Sequence, residues 1–93
     1  MPEAHILIVD DEVDLATSCK RLLEGRGYRA SVATSGEEAL EAVRADEPQV
    51  VLTDLKMPGL GGMDLLRQLK EEYADIEVIM MTAYGSIPLA VEA

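Results

Sequence analysis

Asp10, Asp11 and Asp54 are the residues whose type and placement invite chemistry. The first two close the apolar run 4–9 (AHILIV) and are followed by Glu12; Asp54 closes the run 49–53 (QVVLT). An acid at the end of a buried strand can be a cation ligand, a nucleophile or the cap of the turn that follows. Thr82 stands in the same relation to the run 76–81 (IEVIMM). Singly, each acid is most simply a helix cap and Thr82 a turn residue. Together they imply more. Carboxylates drawn to one place repel one another and raise one another's pKa unless a cation lies among them. A hard divalent ion such as Mg²⁺ suits them, since it binds through one or two carboxylates plus waters and phosphate oxygens. A carboxylate beside such an ion can attack a phosphoryl group and become an aspartyl phosphate, with a hydroxyl such as Thr82 meeting a phosphoryl oxygen.

The surrounding pattern supplies the elements that would bring these residues together. Residues 4–9 form a continuous apolar run, as expected of a strand covered on both faces. His5 lies at the far end of that strand from the acids and reads as a satisfied or exposed histidine. Residues 12–24 turn helical, with Val13, Ala16, Cys19 and Leu23 on one stripe and Leu15 and Leu22 widening it. Gly25 and Gly27 are expected to end that helix in the left-handed region. Residues 29–33 (RASVA) read as a short edge strand. Ser35-Gly36-Glu37-Glu38 carries a capping-box signature and opens a second helix, with Ala39, Leu40 and Val43 inward, that stops before Pro48.

The third strand, 49–53, runs into Asp54. The loop 57–62 (MPGLGG) then forces sharp turns. A third helix over 63–73 places Leu66, Leu69 and Tyr73 inward, with Arg67 and Glu71 spaced to pair. After the fourth strand, 76–81, Ser86 and Pro88 are suited to open a fourth helix. That helix stops at Ala93 after about two turns, a marginal length. Strands alternating with helices call for a parallel sheet with right-handed crossovers and helices on both faces. All strand carboxyl ends then meet one rim, where open α/β sheets place their ligands.

The whole chain is one small domain of 93 residues with a net charge of −10. With three Tyr, no Phe and no Trp, its core must be aliphatic. No basic stripe exists to neutralise phosphates, which argues against direct nucleic-acid binding. Cys19 is the only cysteine, which excludes an internal disulfide and a cysteine metal site; it reads as a buried thiol. The absence of a signal-peptide pattern and of a bilayer-length apolar run implies a soluble cytoplasmic protein with no membrane contact.

The stretches Ile-Val-Asp-Asp-Glu (8–12), Leu-Thr-Asp-Leu-Lys-Met-Pro-Gly (52–59) and Met-Met-Thr-Ala-Tyr (80–84) resemble, in this order, the receiver domains of two-component response regulators. The resemblance covers essentially the whole chain and is nearest to receivers of enhancer-binding transcriptional activators. It implies a flavodoxin-like (CheY-like) doubly wound parallel sheet of strand order 2-1-3-4-5. It makes Asp54 the phosphoacceptor for a phosphohistidine on a sensor histidine kinase. It makes Asp11 the main Mg²⁺ ligand, assisted by Asp10, Asp54 and the backbone carbonyl of Lys56, and Thr82 the switch hydroxyl. Pro58 and Gly62 match the turn after the phosphorylation site, whereas Gly61 stands where the family very often has an acid.

Against that pattern, the fifth strand with its phosphate-pairing lysine and the fifth helix are not found. The expectation is therefore a receiver domain over residues 1–93, incomplete at its carboxyl end, whose output domain lies in a longer protein. An unpaired fourth strand and an uncapped fourth helix predict a homodimer or higher oligomer. Two other functions stay open. One is a chemically silent, oligomerising fragment. The other is an Mg²⁺-dependent aspartyl-phosphate phosphohydrolase, disfavoured because Lys56 occupies the place of the second acid such enzymes use.

Overall fold

A computed structural model describes residues 4–54, 61–81 and 89–91. Its elements are β1 (His5–Val9), α1 (Val13–Gly25), β2 (Arg29–Ala33), α2 (Gly36–Ala45), β3 (Val50–Asp54), α3 (Gly62–Glu72), β4 (Glu77–Met81) and β5 (Leu89–Val91). They form one sheet in the order β2-β1-β3-β4-β5. The first four strands are parallel, as the alternation of strands and helices requires.

Side-chain alternation divides the core in two. Leu7 and Val9 of β1, Val51 of β3, and Val78 and Met80 of β4 face α2 and α3. Those helices contribute Ala39, Leu40 and Val43, and Leu65, Leu66 and Leu69. On the other face, Ile6, Ile8 and Ala30 pack with Ala16 of α1, and Cys19, Leu23, Val50 and Leu52 join at the margin. The first face is the larger because two helices cover it.

α2 starts as its sequence dictates: the Glu38 amide donates to Ser35 Oγ at 3.0 Å. The returning Glu38 carboxylate accepts from the Thr34 amide, one residue earlier than the capping-box pattern anticipates. α1 departs further from expectation. Its stripe is narrow: Ala16 is its buried residue, and Val13, Leu15 and Leu22 are exposed. Its end uses one left-handed residue: Gly27 has φ +92°, while Gly25 is the last helical residue and Arg26 the cap. On α3, Leu65 is fully buried, an inward position that the Leu66–Leu69–Tyr73 stripe omits. Arg67 pairs with Asp64 at 3.6 Å, one turn back, rather than with Glu71.

The largest correction concerns the carboxyl end. Leu89–Val91 is not part of a fourth helix; it is β5, antiparallel to β4 with Met80 opposite Leu89 and Val78 opposite Val91. The expected open edge at β4 is therefore paired, and the sheet has a fifth strand, though one that runs the opposite way from a receiver's fifth. The reason is local. An eight-residue helix is marginal alone, whereas Leu89–Val91 laid along β4 satisfies N–H and C=O groups that β4 would otherwise leave unmatched.

Candidate acidic site at the sheet rim

Register brings the acids level. Val9 is opposite both Ala33 and Thr53, so the next residues, Asp10 and Asp54, leave neighbouring strands at the same height. The Asp10 amide still bonds Ala33 O at 3.1 Å, which keeps the chain in the ladder through its first acid. Asp54 is held on its other side opposite Met81 of β4. Parallel strands lie about 4.8 Å apart, and this spacing is what draws the carboxylates together. Asp10, Asp11 and Asp54 each offer an oxygen within 4.8 Å of the others.

The three differ in setting. Asp11 is exposed, and Asp10 and Asp54 are half-buried. Asp10 Oδ1 accepts the Glu12 amide at 2.9 Å, a turn that presents Asp11 to solvent and starts α1. Burial pushes the Asp10 carboxyl above its ordinary range; the Glu12 amide opposes this, and the charges of Asp54, Asp11 and Glu12 add to the rise. The donor set is therefore all hard carboxylate oxygen, and its self-repulsion would be relieved by a cation. Those properties fit Mg²⁺. The other two residues expected at this site, Lys56 and Thr82, lie outside the described residues.

Two buried polar side chains stand out among the described residues, His5 and Thr53. His5 is buried at the opposite end of β1. Its Nε2 is 2.8 Å from Ser31 Oγ, and its Nδ1 is 3.8 Å from Asp46, itself bonded to Arg29. Thr53 is fully buried beside the acids and donates its hydroxyl to the Asp54 carbonyl at 3.1 Å. The signal for Thr53 was visible: it is the one hydroxyl in Val-Val-Leu-Thr-Asp.

No helix among the described residues is long and apolar enough to cross a membrane. The response regulator receiver domain model matches residues 6–93. Similar curated proteins include the C4-dicarboxylate transport transcriptional regulatory protein DctD of Pseudomonas aeruginosa, 37% identical over 91 residues. The transcriptional regulatory protein ZraR of Klebsiella oxytoca is 41% identical over 91 residues. In both cases the match covers 98% of this chain and 20% of the relative, so the chain spans about a fifth of their length. Among solved structures, response regulator protein TrrA of Thermotoga maritima, in complex with Mg²⁺-BeF, is 33% identical with a TM-score of 0.83. That match covers 88% of this chain and 71% of the other.

Proposed function

The chain belongs to the response regulator receiver domain family, and we propose that it acts by accepting a phosphoryl group on Asp54 from a sensor histidine kinase. Receiver domains are signalling modules rather than classical enzymes. The observation that carries the reading is the meeting of Asp10, Asp11 and Asp54 at the carboxyl ends of β1 and β3. An Asp54 carboxylate oxygen attacks phosphorus, the phosphorus–nitrogen bond of the phosphohistidine breaks, and the ring nitrogen keeps the electron pair. An acyl phosphate on Asp54 and a free histidine result.

Asp11, Asp10 and Asp54, with the Lys56 carbonyl, would hold Mg²⁺, which when bound supplies positive charge against the incoming phosphoryl oxygens. The Asp10–Glu12 contact keeps Asp10 turned toward the other acids. Thr82 is assigned the switch hydroxyl, on the family pattern. The relatives' names support an output in transcription, exerted in the cytoplasm by a domain of a longer protein. Self-association remains part of the proposal, with β5 rather than β4 as the outer strand; a stable monomer by light scattering across micromolar concentrations removes it.

The test is incubation with a small acyl phosphate and Mg²⁺. We expect a mass gain of one phosphate that is absent in Asp54→Asn. Repeated turnover of an added phosphate ester would instead favour a phosphohydrolase, and an unmodified wild-type chain a silent interaction module.

A further inference from the structure

We propose that Thr53 is a positioning residue for Asp54, acting through the backbone; the proposal rests on the phosphoacceptor reading of Asp54. Thr53 is fully buried on the face covered by α2 and α3, between Val9 and Met80 on the flanking strands. Every other buried side chain on that face is aliphatic among the described residues, apart from His5 at the far end of β1. A hydroxyl in such surroundings must find an acceptor, because a buried donor left unpaired forfeits its hydration with nothing in return. It reaches forward along its own strand, donating to the carbonyl oxygen of Asp54 at 3.1 Å.

That carbonyl is the one whose orientation defines ψ of Asp54. Fixing it does two things. Because the bond from Thr53 Oγ1 to that carbonyl also spans ψ of Thr53 and φ of Asp54, it limits the torsions that carry the Asp54 side chain relative to Asp10 and Asp11, whose oxygens lie within 4.8 Å of its own. It also sets the direction in which the chain leaves β3. Thr53 and Asp54 point to opposite faces of the sheet, so Thr53 does this without entering the acidic site. It is a support under the strand end, anchored in the core.

Thr53→Val keeps the branched shape and removes the hydroxyl, and Thr53→Ser keeps the hydroxyl and removes a methyl. We expect Thr53→Val to fold, as judged by circular dichroism and urea unfolding, and to shift the Asp54 backbone carbonyl ¹³C resonance. Phosphorylation by a small acyl phosphate, and Mg²⁺ affinity by calorimetry, should each fall roughly tenfold, in the range for removing a partner that orients a ligand. Thr53→Ser should hold both near the wild-type values even though it loses core contacts. A purely structural role would invert this order, with Ser the poorer variant. Wild-type Mg²⁺ affinity and rate in Thr53→Val would overturn the proposal, as would an unmoved Asp54 carbonyl resonance. Should the wild-type chain take no phosphate, the phosphoacceptor reading is overturned, and the Mg²⁺ and ¹³C measurements still decide whether Thr53 positions Asp54.

Discussion

The backbone amide of Glu12 donates to Asp10 Oδ1 at 2.9 Å, binding the first acid of the site to the residue that caps α1. Helix entry and site geometry are thus one feature. Asp10 cannot swing away from Asp11 and Asp54 without releasing the amide that precedes α1.

Crowding of acids costs stability when no cation is bound. We expect Asp10→Asn, which keeps an acceptor for the Glu12 amide and removes one of the repelling charges, to melt no lower than wild type in chelator. Mg²⁺ should raise the wild-type melting point, with about 2.7 kcal/mol available at a hundredfold excess over the dissociation constant. The variant should show a much smaller rise. Calorimetric scans with and without Mg²⁺ check both halves.

His5 predicts a pH effect at the other end of the sheet. Burial, then the Arg29 charge, push its pKa below 6.5, while Asp46 opposes them. The unfolded chain therefore takes up a proton near pH 6.5 while the folded chain still resists it. This contribution is intact above pH 6.5 and is lost as pH falls from there toward the folded value. The slope cannot exceed about 1.4 kcal/mol per pH unit, the limit for one proton. Urea unfolding of wild type and His5→Gln between pH 5 and 8 should show the slope in the first and its loss in the second.

Leu65 and Leu22 provide an internal contrast. Leu65 is fully buried and Leu22 is 67% exposed. Truncation to Ala should cost about 2–5 kcal/mol at Leu65 and within about 0.5 kcal/mol at Leu22. The loss at Leu65 is a large fraction of the total stability of so small a domain. Thermal unfolding by circular dichroism should show a clearly lowered midpoint for the first variant and little change for the second.

Ser35→Ala should remove about 1 kcal/mol, because the Glu38 amide loses its cap. Glu38→Ala should cost less, since it frees the exposed Thr34 amide to water. Chemical unfolding of the two variants ranks them.

Much of this molecule is legible in one dimension. Apolar runs at 4–9, 49–53 and 76–81, the first two each followed by a helical period, specify a parallel sheet, and that topology sends Asp10, Asp11 and Asp54 to one rim. The core positions Ala39, Leu40 and Val43 follow from the same periodicity. Periodicity alone could not say that Leu15 and Leu22 stay exposed. Their burial depends on which other segments pack against α1, and no stripe within the helix specifies that.

Four matters were decided only in three dimensions. Residues 89–91 carry a pattern that suits either helix or strand, and the hydrogen-bonding edge of β4 made them β5. His5 looked peripheral, yet the pairing of β1 with β2 set it beside Ser31 and near Asp46. Thr53 looked like one more strand residue until the aliphatic packing around it left its hydroxyl the Asp54 carbonyl as acceptor. The carboxylates' approach to within 4.8 Å also depended on register, since a slip of one residue between β1 and β3 would put Asp10 and Asp54 on opposite faces. Residue type and period select the elements and the rim they share. Which groups meet there is set by long-range pairing, a property of contacts between segments that no single segment contains.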